Sequence, residues 1–332
     1  MTKIAINGLG RMGKLVLRRL FDMGLGGQIA LLNDPVGDIA THALLVEFDT
    51  VHGTWPAKVG HDDESITIND QHLRFTQASS PAELDLSGID LVIECSGKFK
   101  TAETLQPYFD AGVKKIVVSA PVKIPGAANI VYGVNHDIYE DQRIVTAASC
   151  TTNCIAPVVK VMHEVFGIEQ ASFTTIHDVT NTQTIVDKAH KDPRRARSAL
   201  NSLVPTTTGS AKAVIQIFPE LEGRINGHAV RVPLLNASLT DIVFDVARDV
   251  TEEEVNAALK EASETALAGI LGYEPRPLVS CDFTNDDRST IVDAPSTMVV
   301  NKRQVKIYAW YDNEWGYVSR LADITKMVAQ SI

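Results

Sequence analysis

Gly8-Leu9-Gly10-Arg11-Met12-Gly13 decides the fold of this chain. The strand-like Lys3-Ile4-Ala5-Ile6 runs into it and an amphipathic stretch over 11–22 leaves it, so three glycines sit at a strand-to-helix turn. Gly8 and Gly10 permit a tight turn and the close approach of a pyrophosphate to the helix N-terminus, where unpaired N–H groups and the helix dipole favour an anion. Gly13 lets helix and strand pack. Asn33-Asp34 ends the next strand, over 28–33. A carboxylate at Asp34 accepts hydrogen bonds from adenosine ribose hydroxyls and repels a 2′-phosphate, which favours NAD over NADP.

Outward from the turn, strand patterns at 3–6, 28–33, 89–95, 115–119 and 143–148 alternate with helical stretches, 11–22 and 101–111 among them. That rhythm implies a parallel sheet covered by helices on both faces. Past residue 150 it changes. Strands are expected at 171–176, 227–232 and 238–246, and a hairpin joins 297–301 to 304–311 around Lys302-Arg303. Thr251 with Glu254 forms a capping box for a helix over 252–268. The expected fold is α/β plus α+β: a Rossmann-type doubly wound NAD-binding domain over 1–149, then a catalytic domain over 150–313 on a mostly antiparallel sheet. A C-terminal helix over 314–332 carries Val318, Leu321, Ala322 and Val328 on one face.

At 332 residues, two domains are the natural division. The 31 Lys+Arg against 41 Asp+Glu give a net charge of −10, which argues against nucleic acid or an anionic membrane as partner. The four cysteines are too few for a disulfide scaffold and fit reduced cytoplasmic thiols. No leader-like segment precedes the first strand, no apolar run approaches the ~20 residues of a membrane span, and no internal repeat is present. The expected location is the cytoplasm.

Ser149-Cys150-Thr151-Thr152-Asn153 lies between the apolar strand ending at Ala148 and a helix running through Val165-Phe166. Pro157 is read as an early residue of that helix, where a missing N–H is tolerated. A cysteine at such a junction faces outward-pointing N–H groups and a favourable dipole, which promote thiolate over thiol. Most free cysteines are buried small hydrophobes, but the hydroxyls flanking this one suit an anion pocket, and Cys150 is read as a nucleophile. Cys154, one helical turn on, is read as packing, since no Cys/His set with zinc spacing accompanies it. No metal site is expected.

Between His177 and Pro205 a long stretch of weak periodicity holds Lys188, His190, Lys191, Arg194, Arg195 and Arg197. A loop this long in a compact domain is usually functional. It reads as a solvated basic face, a lining of the cofactor site or a subunit contact. A role in binding RNA or a partner protein through 188–197 is the rival from another class.

Ala148 to Cys154, with Tyr311-Asp312-Asn313-Glu314-Trp315-Gly316-Tyr317, resembles glyceraldehyde-3-phosphate dehydrogenase. The Gly8–Gly13 turn, Asn33-Asp34, Ser119-Ala120-Pro121, Thr208-Gly209-Ser210-Ala211-Lys212 and Arg231-Val232-Pro233 agree in order and spacing, so the resemblance spans essentially the whole chain. It implies that Cys150 attacks an aldehyde to give a thiohemiacetal and that His177 takes the thiol proton. Hydride passes to NAD, and inorganic phosphate attacks the resulting thioester. Thr180 and Arg231 are implied to hold the substrate's phosphate, and Ser149, Thr151, Thr208 and Gly209 the attacking one. Arg11 and Met12 are placed along the pyrophosphate, Ser96 and Ser119 beside the nicotinamide, and Asn313 on its carboxamide. The resemblance also implies a homotetramer built around the basic loop and a C-terminal helix that returns to the first domain. Erythrose 4-phosphate as substrate, or water as acceptor, is the near alternative.

Thr184, Pro193, Ser79-Ser80 and Leu234-Leu235 depart from the usual family residues. With Asn33 to Asp38, Lys191 to Arg197 and Pro205 to Ser210, they resemble a branch associated with arsenate resistance. There arsenate replaces the attacking phosphate, and a partner permease exports 1-arseno-3-phosphoglycerate.

Overall fold

Ile4–Asn7 is fully buried and lies near the middle of a nine-stranded sheet in the computed structural model, which describes residues 1–332. Outward on one side come Leu91–Glu94, Lys115–Val118, Ile144–Thr146 and Ala128–Asn129. On the other come Ile29–Asn33, Gln71–Thr76, Ser65–Ile68 and Val59–His61. The pairs from Ala128–Asn129 across to Gln71–Thr76 are parallel, as the alternating strand and helix patterns require.

The far edge differs from the sequence reading, which placed no strand between 34 and 88. Ser65–Ile68 and Gln71–Thr76 form an antiparallel hairpin, with Val59–His61 outside it. Asn69 and Asp70 make its two-residue turn with φ of 48° and 66°, conformations that Asn and Asp tolerate. These strands are short and half-polar, so their alternation is a weak signal beside the apolar runs of the parallel core.

The glycines of the first turn have separate reasons. Gly8 has φ +92°, and a Cβ there would lie 2.4 Å from the Ser96 backbone nitrogen. A Cβ on Gly13 would lie 1.9 Å from the Gly8 carbonyl oxygen, whereas one on Gly10 would meet nothing within 4 Å. Gly13→Ala is therefore expected to cost about 1–3 kcal/mol by overpacking and to weaken NADH binding by displacing the turn. A denaturant midpoint and an NADH fluorescence titration check both effects.

The chain divides into two units. Met1–Tyr132, His136–Ser149 and Val318–Ile332 form one; Gly133–Asn135 and Cys150–Tyr317 form the other. The second unit holds a mixed sheet ordered Val204–Thr207, Ile225–Arg231, Ile168–His177, Ser238–Val246, Gln304–Tyr311, Thr290–Asp293, Leu271–Glu274. Met298–Val300 pairs beside Gln304–Tyr311 through the turn around Lys302. Two pairs are parallel, Ile168–His177 with Ile225–Arg231 and Leu271–Glu274 with Thr290–Asp293, and the rest are antiparallel. The mostly antiparallel expectation holds.

The helix Cys150–Phe166 packs on this sheet and is buried almost all round. It begins at Cys150 itself, which corrects the placing of Pro157. That proline sits well past the first turn, where it supplies no N–H to the intrahelical ladder. Thr251 and Glu254 form the expected capping box, but their helix, Glu252–Glu264, stops short of 268. The last helix, Trp315–Gln330, contributes from Val318 onward to the first unit, with Val318, Leu321, Ala322 and Val328 all buried. No helix is long and apolar enough to cross a membrane.

Candidate functional site

In the first unit, Gly10 precedes the helix Arg11–Asp22, so the open space at Gly10 lies before a helix N-terminus. Asp34 closes the adjoining strand. Its Oδ2 accepts from the Leu9 N–H at 2.8 Å and its Oδ1 from Val36 N–H at 3.0 Å, which fixes the carboxylate beside the turn. These features fit the diphosphate and ribose of a dinucleotide. Met12 is half-buried in the first helical turn. Arg11 pairs with Asp49 across the same region. Burial alone would raise the Asp49 carboxyl, but Arg11 and the His52 and Val51 N–H groups bring it down to about 2. Arg11 thus spends much of its charge inside the protein, and its backbone is the part best placed for a pyrophosphate.

Asn33 is turned inward. Its Nδ2 donates to Asn7 Oδ1 at 2.7 Å and Ala78 O at 3.0 Å, while its Oδ1 accepts from Thr76 Oγ1 and Ala78 N, both at 2.8 Å. The side chain therefore anchors the strand end that carries Asp34 and has little left for a cofactor, contrary to its expected binding role. Ser96 likewise donates its hydroxyl to Glu94 Oε1 at 2.5 Å and accepts from Lys98 N–H. Glu94 is buried, which raises its pKa despite the Ser96, Tyr108 and Asn7 hydrogen bonds. Ser119 is half-buried, its N–H bonded to the Glu94 carbonyl and its side chain against Cys95.

In the second unit, Cys150 and His177 meet. Cys150 is the first residue of its helix, following Ala148, whose φ of +52° is strained for a residue with a Cβ, and Ser149. His177 ends the strand Ile168–His177, and its Nε2 lies 3.6 Å from Cys150 Sγ. Burial alone would push the Cys150 thiol up, but the hydrogen bond from His177 and the charges of His177 and Arg231 outweigh it and leave the pKa below its ordinary value. Burial opposes charge on His177 as well. Its partners Asp178 and Cys150 prevail and raise the ring to about 9. Cys154 on the same helix has no such partner. It lies buried against Thr240 and Thr290, and its thiol is pushed up to about 12.

Tyr311 braces this pair. Its hydroxyl lies 2.7 Å from Thr175 Oγ1 and 3.1 Å from Thr151 Oγ1, and its ring meets His177 edge-on at 6.0 Å. The Thr151 hydroxyl thus shares a hydrogen bond with Tyr311, and its N–H in the first helical turn is a further donor. Arg231 Nη1 donates to the Asp178 carbonyl at 2.9 Å and stands 2.6 Å from His177 Nδ1. Thr180 is exposed and shares a hydrogen-bond chain with Thr182 and Gln183. Arg195 of the basic loop donates to Thr182 at 3.1 Å, and its charge reaches Arg231. The hydroxyls of Thr180 and Thr182 and the guanidinium groups of Arg195 and Arg231 are groups of the kind that hold an anion.

Thr208 Oγ1 accepts from Ser210 N–H at the start of the helix Ser210–Ile217, and Gly209 faces open space there. That helix packs against the Cys150 helix. Asn313 is buried, its side-chain amide 3.3 Å from Ser238 Oγ. The sequence reading missed Asp178, Ser238, Tyr311 and the approach of Arg195 to Thr182. Only Arg195 carried a signal, as part of the basic loop.

A parallel sheet with a glycine turn before a helix N-terminus and a carboxylate fixed beside that turn, joined in one chain to a unit bearing a thiol of lowered pKa, defines an NAD-dependent oxidoreductase. The first unit matches the family described as the NAD binding domain of glyceraldehyde 3-phosphate dehydrogenase over residues 2–102, and the C-terminal domain of the same family matches residues 149–313. The chain is 55% identical to glyceraldehyde-3-phosphate dehydrogenase 3 of Nostoc sp., covering 99% of each. It is 45% identical to glyceraldehyde-3-phosphate dehydrogenase of Cereibacter sphaeroides, over 97% of this chain and 96% of that one. With glyceraldehyde-3-phosphate dehydrogenase 1 of Bacillus cereus the identity is 44%, over 98% and 97%. The chain belongs to the glyceraldehyde-3-phosphate dehydrogenase family.

Proposed function

We propose that this protein oxidises glyceraldehyde 3-phosphate through a thioester on Cys150 and passes the acyl group to inorganic phosphate. The observation that carries this reading is Cys150 Sγ at 3.6 Å from His177 Nε2, with the thiol pKa lowered at 150 and raised at 154 on one helix. The Cys150 sulfur attacks the aldehyde carbon, and His177 Nε2 holds the thiol proton. The imidazolium then steadies the oxyanion of the thiohemiacetal, a role worth roughly 10²–10⁴ in rate. NAD, when bound, supplies the acceptor for hydride leaving that carbon. Attack of phosphate on the thioester carbonyl forms the acyl phosphate and frees the sulfur.

Arg231 and Thr180, joined by Arg195, hold the substrate's phosphate. Thr208, Gly209 and the N–H groups at Ser149 and Thr151 hold the acceptor. Gly8, Gly10 and Gly13 with the Arg11 and Met12 backbone hold the NAD diphosphate, Asp34 the ribose, and Asn313 the carboxamide. Ile185, Val186, Leu200 and Leu203 are exposed along the basic loop, which supports burial of that loop in a homotetramer.

Arsenate and phosphate are near-isosteric, so both belong in the test. NADH production from glyceraldehyde 3-phosphate is expected with either oxyanion and is expected to fail with neither. Activity without an oxyanion would make water the acceptor, and faster oxidation of erythrose 4-phosphate would change the substrate. A strong preference for phosphate removes the arsenate role and the exporter partnership with it.

A further inference from the structure

The sequence reading gives Asp178 no role, and the activity as proposed needs only Cys150 and His177. Yet Asp178 is completely buried, and its Oδ1 lies 2.8 Å from His177 Nδ1, the ring nitrogen turned away from the thiol. The carboxylate is itself held. Ser238 Oγ donates to Oδ1 at 3.1 Å and accepts from the Asp178 N–H at 3.2 Å, while Oδ2 is buried with no partner. A buried carboxylate with an orphaned oxygen is costly to keep. Burial raises its pKa, and only the His177 and Ser238 contacts oppose that.

Three groups meet at His177 Nδ1. The Asp178 carboxylate at 2.8 Å and the Asp178 backbone carbonyl at 2.9 Å can only accept a hydrogen bond from it, which requires a proton on Nδ1, and of the two only the carboxylate brings a charge. Arg231 Nη1, 2.6 Å away, can only donate, which requires Nδ1 bare. The outcome decides what faces Cys150. With the proton on Nδ1, a neutral ring presents the Nε2 lone pair to the thiol and can take its proton. With Nδ1 accepting from Arg231, the neutral ring carries its proton on Nε2 and cannot act as a base.

We infer that Asp178 is the positioning residue of a Cys150–His177–Asp178 triad, holding the ring in the Nδ1–H tautomer against Arg231 and so leaving Nε2 to receive the thiol proton. The proton moves from Sγ to Nε2, and the Nδ1 proton stays in its bond to Asp178. Ser238 Oγ also stands 3.3 Å from the side-chain amide of Asn313, so its single proton has two acceptors in reach, Asp178 Oδ1 and the residue assigned to the NAD carboxamide. The catalytic part of the inference rests on the reaction proposed above; the tautomer part does not.

The groups facing the His177 ring are Cys150, Asp178, Arg231 and the edge of Tyr311, with Glu314 acting on Asp178 from further off. The test is Asp178→Asn in the full chain, with two readouts. In protein whose Cys150 has been capped by iodoacetamide, the His177 ring titrates without its coupled thiol and is followed by NMR, assigned with His177→Asn. Loss of the carboxylate removes a charge that favours the imidazolium, so the midpoint should fall by roughly one unit or more. In uncapped enzyme, kcat should fall at least about tenfold with KM for glyceraldehyde 3-phosphate within about twofold, since Asp178 touches no substrate. Ser238→Ala, a smaller change, should move the His177 midpoint in the same direction by less, and it decides the matter if Asp178→Asn does not fold.

An unmoved His177 midpoint overturns the triad, whether or not kcat falls, because a fall alone would mark Asp178 as packing. A kcat at the wild-type level overturns it as well. If the wild-type chain makes no NADH from glyceraldehyde 3-phosphate, the proposed reaction fails, and in the capped protein the midpoint still decides whether Asp178 acts on the His177 ring, while the ring ¹⁵N shifts of the neutral form decide the tautomer.

Discussion

Cys150→Ser should lower NADH production from glyceraldehyde 3-phosphate by at least about 10⁴-fold, the scale seen when a covalent nucleophile is removed, while NAD binding stays unchanged. Serine keeps the shape of the site and removes the ionisable sulfur. A hydroxyl in the same place has no thiolate for His177 and Arg231 to stabilise, and its attack on the aldehyde would need a far stronger base. The glycine turn and Asp34 belong to the other unit, so an NADH titration by fluorescence should overlay that of the wild type. Activity within tenfold of wild type would remove the thioester from the mechanism. Equal loss of turnover and of NAD binding would mean that the replacement had disturbed the fold.

His177→Asn is expected to reduce kcat by roughly 10²–10⁴ and also to change Cys150 before any substrate arrives. In the intact protein the ring supplies both a hydrogen bond and a positive charge to the sulfur, and both lower the thiol pKa. Without them burial dominates, and the pKa rises. Near pH 7 a higher pKa means less thiolate, so iodoacetamide should alkylate Cys150 more slowly in the mutant. At high pH, where the thiol ionises in both proteins, the rates should converge. Mass mapping should find Cys154 unmodified throughout this range, since its thiol is pushed up to about 12 and lies buried. Equal alkylation of Cys150 in mutant and wild type near neutrality would place the source of thiol activation elsewhere, at the helix N-terminus or Arg231.

Patterns confined to a few neighbouring residues were readable from the sequence, and long-range contacts were not. The glycine turn, the Thr251–Glu254 capping box and the strand Ser238–Val246 each declare themselves through spacing alone. Cys150 could be singled out because a junction residue needs only its immediate flanks to be recognised. The hydrogen bond between the Thr151 and Tyr311 hydroxyls could not be read, because Tyr311 lies far along the chain. The side-chain partners of Arg11 and Asn33 were hidden for the same reason: Asp49, Ala78 and Asn7 take up polar groups that the motif alone would assign to a ligand. Asp178 was overlooked although it adjoins His177. Successive strand residues normally face opposite sides, and only the end of the strand at His177 lets its neighbour's carboxylate reach Nδ1.

The helix Trp315–Gln330 gives its first turn to the second unit and the remainder, from Val318, to the first. The nucleotide-binding unit is therefore assembled from stretches separated by the whole of the second unit. During synthesis at roughly 5–20 residues per second, the ribosome releases Ser149 on the order of ten to thirty seconds before it makes Val318. Throughout that interval the nascent nucleotide-binding half exposes the apolar surface that Val318, Leu321, Ala322, Ile324 and Val328 will cover. Synthesis of the whole second unit is thus a precondition for closing the first-made half, and a fragment ending at Ser149 should need a chaperone or a supplied peptide spanning 318–332 to remain in solution.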